Sequence, residues 1–420
     1  MAWIGGITSY LRRCIIFSIE RVLSIRTNQA SSKKPIEMHL LRSLFLLALP
    51  VLSSAGTSRR ACQESSEDPL AGCKSGVIVV SPDHPKANFK TIQSAIDSLD
   101  DESDATILIL SGEYKEQLDI SRSGPLSLLG QTDYSISQAN NTVTVINAAA
   151  NVDGRYNSNS DTATLKINPS GQNKNLRVYN IDFRNKYAES GVAPALAVSV
   201  QNANSGFYQV GFYSYQDTVQ LQISLMILNY NPVDGTLTIV QVLVSKKANA
   251  YFFQNWIAGQ TDFLFGDGTA YIKDSTLSLR GCGGGITAWK GTNTTFENKY
   301  GVYISDSRVQ AENSTIASEY KGKCALGRPW NDLHRSVFMN TYFDATVNGG
   351  AYKPWNSWPG NTFMAEWRSS GPGYNEKIAK GSDITKVLND NQVKPYREPK
   401  DVFLTADGKK SDVSWIDFNP

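Results

Sequence analysis

Two aspartates draw attention first, because the chain offers little else for acid–base or nucleophilic chemistry. Only three histidines occur, His39, His84 and His334, and neither His nor Cys falls at a metal-ligand spacing. Serine–histidine, cysteine–histidine and zinc-type sites are therefore poorly supplied. Carboxylates remain. Asp217 and Asp262 each follow, by eight residues, a polar side chain of a recurring pattern, Gln209 and Gln254 respectively. A like-charge neighbour makes one carboxyl of a pair harder to ionise, which yields a general acid and a nucleophile from one residue type. A pair about 5 Å apart also suits retaining glycoside hydrolysis, so the spacing alone leaves the reaction open.

The pattern that must position them recurs six times: an apolar residue, two positions later an Asn, Gln or Asp, and three further on another apolar residue. The instances are Val178/Asn180/Phe183, Phe207/Gln209/Phe212, Phe252/Gln254/Ile257, Ile272/Asp274/Leu277, Ile304/Asp306/Val309 and Phe338/Asn340/Phe343. Short strands with a polar residue at a fixed place are what an all-β, single-stranded parallel β-helix requires, since stacked coils bury apolar ladders while polar side chains at the turns satisfy one another. A β-sandwich would need hairpin signals, which are scarce. One short N-terminal helix is expected between Phe89 and Leu99, where Ile92, Ala95, Ile96 and Leu99 share a face. Equivalent positions on successive coils stack at about 4.8 Å, so Asp217 and Asp262 are expected side by side.

The intervals between polar anchors are 29, 45, 20, 32 and 34 residues, and the second is out of line. It contains residues 223–246, a 24-residue stretch with one acid, one base and a long β-branched run. Such a stretch is an aggregation hazard on a coil. We read it as a retained intron, the alternative being a genuine loop.

Composition and targeting signals frame the rest. A complete secretory signal peptide starts at Met38, with Arg42, an apolar run and the small exit Ser53-Ser54-Ala55. Residues 1–37 then read as a gene-model extension, 38–55 as signal peptide and 56–420 as one domain; a mitochondrial presequence built on Arg12, Arg13, Arg21 and Arg26 is the alternative. Without Cys14 the cysteines number four, Cys62, Cys73, Cys282 and Cys324, enough for two disulfides in an oxidising compartment. Asn140, Asn293 and Asn313 head glycosylation tripeptides, and Arg59-Arg60 reads as a solvated loop or a processing site. Removing four net positive charges with residues 1–37 and one with Arg42 takes the formal +2 to −3, and no basic block points to nucleic acid. The apolar run at 43–52 is too short to span a bilayer.

The motifs name the chemistry. Ser214-Tyr-Gln-Asp-Thr-Val219, Gly259-Gln-Thr-Asp-Phe-Leu-Phe-Gly266 and Leu326-Gly-Arg-Pro-Trp330 resemble, in order, three signature segments of the pectin methylesterase family. Gly112-Glu-Tyr-Lys-Glu116, Trp355-Asn-Ser-Trp358 and Gly371-Pro-Gly373 resemble flanking ones. The resemblance runs from Val77 to the C-terminus, is colinear apart from 223–246, and is nearest to secreted fungal members. It implies a right-handed, pectin lyase-like β-helix, secreted and monomeric, that hydrolyses methyl esters of homogalacturonan without a cofactor or metal. It further implies Asp262 as nucleophile, Asp217 as acid/base, Gln216 as oxyanion donor, Arg328 as the partner of Asp262, and Trp330 and Trp355 as sugar platforms.

One departure stands out: Pro194 occupies the place of a second oxyanion glutamine and has no donor to offer. A catalytically weakened wall-binding protein is therefore one rival, and another pectin-active β-helix enzyme a second. For residues 223–246 the expectation is direct: sequenced transcripts join codon 222 to codon 247, and messages that all retain the stretch would make it part of the protein.

Overall fold

The computed structural model describes residues 54–187, 193–215, 219–221, 225–230, 237–242, 248–291, 300–355, 361–405, 408–409 and 413–420. Three parallel sheets run through Ser54–Pro420, of eleven, eight and six strands. The chain visits them in turn, so each strand pairs with its counterpart on the neighbouring coil and the whole is a right-handed parallel β-helix. One coil takes Ala203–Tyr208 in the first sheet, Gly211–Tyr213 in the second and Val219–Leu221 in the third. The next takes Asn249–Phe253, Trp256–Gly259 and Leu264–Gly266.

The six-fold pattern is the corner between the first and second sheets. Its leading apolar residues pair in register along the first sheet: Val178 with Phe207, Phe207 with Phe252, Phe252 with Ile272, Ile272 with Ile304 and Ile304 with Phe338. Its trailing residues do the same along the second, from Phe183 through Phe212, Ile257, Leu277 and Val309 to Phe343. All twelve are fully buried. The anchor between them turns the corner in the left-handed region: Asn180, Gln209, Gln254, Asp274, Asp306 and Asn340 all have φ between 49° and 55°. Side chains then bond between coils, Gln209 Nε2 donating to Gln254 Oε1 at 2.8 Å and Asn340 Nδ2 to Asp306 Oδ1 at 2.7 Å. An inner row follows, in which Asn255 N donates to Ser275 Oγ and Ser275 N to Ser307 Oγ.

The expected helix spans Ile92–Asp97 and buries Ile92, Ala95 and Ile96. Thr91 caps it, and the Glu116 carboxylate accepts from the Ile92 and Gln93 amides at 2.9 Å each. A second helix, Ser54–Gln63, corrects the reading of Arg59-Arg60 as a solvated loop. Arg59 lies 4.2 Å over the Tyr179 ring of the first sheet, Arg60 donates to the Pro420 carbonyl, and both are half-buried. Cys62 pairs with Cys73 and Cys282 with Cys324. Within residues 223–246, Leu225–Tyr230 and Leu237–Val242 form an antiparallel hairpin that joins none of the three sheets.

The corner geometry generates a stability prediction. Gln254→Val puts a β-branched residue at φ 55° and should lower unfolding free energy by about 1–3 kcal/mol, whereas Gln254→Gly should lose only the side-chain bond. Urea denaturation of the two variants measures the difference.

Candidate active site

After the strand Trp256–Gly259 the chain makes a tight turn before Leu264–Gly266, and Asp262 lies in that turn with φ 48°. Backbone bonds fix it from both sides. Gln260 N and Thr261 N both donate to Tyr215 O on the preceding coil, at 2.7 and 3.1 Å, and Asp262 N donates to Gly285 O on the following one at 2.7 Å. The residue is 5% exposed.

Arg328 holds it. Nε donates to Oδ1 at 3.0 Å and to Oδ2 at 3.1 Å, and Nη2 to Oδ2 at 2.5 Å, the forked geometry that carboxylates bind most strongly. Arg328 is placed by its own amide, which donates to Thr287 O at 2.9 Å, and its guanidinium lies 3.8 Å over the Trp355 ring. Burial raises the Asp262 pKa, and the Arg328 bonds and charge, with a smaller contribution from Lys353, pull it back down. Trp330 stacks on Phe265 with ring centroids 4.3 Å apart, and Lys290 sits 5.3 Å from its face. Both tryptophans are half-buried.

Asp217 and Gln216 lie outside the described residues. The strands on either side of them keep one register with the next coil, Tyr213 opposite Ala258 and Val219 opposite Leu264, an offset of 45 residues in both. That offset is also the separation of Asp217 from Asp262. Pro194 is half-buried, and its carbonyl accepts from Asn151 N at 2.8 Å. Gln260 lies against Gly281 at the edge of a small recess lined by Gly283, Lys323 and Lys353.

A competing nucleophile is ruled out by burial. His334 Nε2 and Ser336 Oγ are 2.8 Å apart, but both residues are fully enclosed and the imidazole is pushed down to about 3, so it stays neutral and out of contact with solvent. Sequence reasoning missed the backing of Asp262. Gly283, Gly284 and Gly285 lie so close to Thr261, to Asp262 with Arg328, and to Gly327 that a Cβ on any of them would overlap its neighbour. The run of glycines around Cys282 was the available signal.

The sequence model of the pectinesterase family matches residues 77–241 and 237–405, the two matches meeting inside the 223–246 stretch. The chain therefore belongs to the pectinesterase family, a family of carboxylic ester hydrolases. Probable pectinesterase A of Aspergillus niger is 27% identical over 354 residues, which cover 82% of this chain and 94% of that protein. The crystal structure of the Aspergillus niger pectin methylesterase superposes with a TM-score of 0.63 at 24% identity, over 82% of this chain and 98% of the other. A pectin methylesterase solved in complex with a hexasaccharide gives 0.58 at 24% identity, over 77% and 96% of the two chains.

The pKa shift at Asp262 carries a sign. A carboxyl whose folded pKa is raised contributes stability that is fully present below its unfolded pKa and lost as pH rises through the folded value. Asp262→Asn removes that pH-dependent burden, although it also takes the anion from Arg328. The melting temperature of the variant relative to wild type should therefore rise as pH goes from about 3 to about 7, and scanning calorimetry at the two pH values checks it.

Proposed function

We propose that the protein hydrolyses the methyl esters of polygalacturonate, releasing methanol and leaving free galacturonate carboxylates. The observation that carries this reading is a buried aspartate gripped by a forked arginine, which itself lies over the half-buried Trp355 ring, in a member of the pectinesterase family.

The chemistry follows from the groups. An Asp262 oxygen attacks the C6 carbonyl carbon, and the carbonyl electron pair moves onto oxygen, where the Gln216 amide donates to the oxyanion. Asp217, protonated at this stage, gives its proton to the leaving methoxide as the tetrahedral species collapses to an acyl-enzyme and methanol. Asp217, now ionised, takes a proton from water as that water attacks the same carbon. Collapse expels the Asp262 carboxylate and leaves the galacturonate acid. Arg328 keeps the attacking carboxylate oriented and favours its ionised form, and Trp330 and Trp355 offer flat faces to the sugar rings.

The protein is read as a secreted monomer. Two disulfides fit an oxidising compartment, and the acceptor residues Asn140 and Asn313 are both exposed. No helix among the described residues is long and apolar enough to cross a membrane.

Methanol release from highly methylated pectin is the test. Asp262→Asn should lower it by about a thousandfold or more, and Gln216→Leu by about 10²–10³-fold. Arg328→Leu should move the acid limb of the kcat/KM profile to higher pH, because the ionised carboxylate loses its partner. A folded protein that binds pectin saturably and releases no methanol would instead favour a lapsed enzyme, with Pro194 the first position to restore.

A further inference from the structure

The loop Gly281–Gly285 carries one side chain beyond hydrogen in five residues, and that side chain is in a disulfide. Its glycines are needed for close approach. A Cβ at Gly284 would overlap Asp262 Oδ1 and the Arg328 guanidinium, and one at Gly285 would come within 2.7 Å of the Gly327 Cα. Glycine-rich backbone has the largest conformational freedom to lose, so a loop built this way does not hold its own shape. It is nevertheless the surface on which the nucleophile's turn rests, since Gly285 O accepts from Asp262 N and Gly283 N donates to Gln260 O.

Two side-chain ties supply the missing rigidity. The Cys282–Cys324 bridge joins the loop to the segment that continues four residues later into Arg328. Lys353 Nζ donates to Gly283 O at 2.8 Å, while its own amide donates to Gly327 O at 3.0 Å. Both ties therefore link the element behind Asp262 to the element that carries its arginine.

We propose that Cys282, Cys324 and Lys353 are positioning residues: they clamp the glycine loop so that the Asp262 carboxylate and the Arg328 fork meet in the attacking geometry. They act by holding that ion pair in place, and Lys353 also favours the ionised carboxylate through its charge. The inference rests on the assignment of Asp262 as nucleophile.

The experiment uses the full chain and compares Cys282→Ala/Cys324→Ala with Cys62→Ala/Cys73→Ala, which removes the disulfide at the N-terminal helix. Methanol release gives kcat, KM and the pH profile, with circular dichroism and melting as the fold check. Loss of the clamp should lower kcat about tenfold, leave KM within about twofold and move the acid limb to higher pH, because a loosened Arg328 no longer favours the ionised carboxylate. The N-terminal pair should change melting temperature without moving the acid limb. Lys353→Met should lower kcat on the plateau above the acid limb, where Asp262 is ionised with or without the lysine's charge, and Lys353→Arg, which keeps a cationic donor, should recover most of it; this pair decides the matter if the first double variant does not fold. A folded Cys282→Ala/Cys324→Ala protein with wild-type kcat and acid limb overturns the clamp. Asp262→Asn assayed alongside separates the failures: activity retained there overturns the nucleophile and the clamp together, whereas activity lost there with none lost in the cysteine pair overturns the clamp alone.

Discussion

A coil can stack on its neighbour only if each corner follows the same backbone path, because a slip of one residue would turn every inward phenylalanine of that strand outward. Here the path is fixed by left-handed residues between the first and second sheets, from Asn180 to Asn340. Non-glycine residues rarely adopt that conformation, and those best able to do so carry a short polar side chain. The same amides and carboxylates then find partners on the coils above and below, so the residue that makes the turn also bonds the stack. From this register follow the two buried ladders, and from the ladders follows the level at which each turn of the third sheet emerges.

Asp262 sits where that order is put to use, at a cost. Burial favours its neutral form, and only the forked Arg328 and the charge of Lys353 oppose this. A buried carboxylate with one strong partner differs from a solvated one, since water no longer competes for its lone pairs. The partner must approach closely, and the glycines at 284 and 285 are the condition for that approach. Trp355 covers the other face of the guanidinium, so the arginine is held between a ring and a carboxylate and has little freedom to swing away.

The first-to-second-sheet corner was legible in the sequence because its chemistry is local. Val178, Asn180 and Phe183 lie within six residues, and the backbone alone dictates their types. The expectation that positions 217 and 262 are equivalent rests on the same counting from a corner; position 217 lies outside the described residues, and the strands flanking it keep the 45-residue offset. Arg328 was not legible that way: it lies 66 residues beyond Asp262, and only its motif gave it a role. The glycine loop escaped notice because a glycine's function is the space it leaves, which appears only when Thr261, Asp262 and Gly327 are in place around it. The helix Ser54–Gln63 was missed because it has no apolar stripe to find; its arginines pack on the Tyr179 ring and the chain terminus instead.

The stretch 223–246 is best understood through register as well. The coil before it meets the coil after it at the same offset of 45 in all three sheets, Phe207 with Phe252, Phe212 with Ile257 and Val219 with Leu264. An offset shared by every strand is a change in connection length and not in stacking. The interposed hairpin pairs only with itself, so no ladder of the β-helix depends on it. Shortening the connection by 24 residues would leave a 21-residue step between Gln209 and Gln254, close to the 20 that separates Gln254 from Asp274. The turn that carries Asp262 is tied by backbone bonds to Tyr215 and Gly285, and none of the three sheets that level it includes a strand of the hairpin.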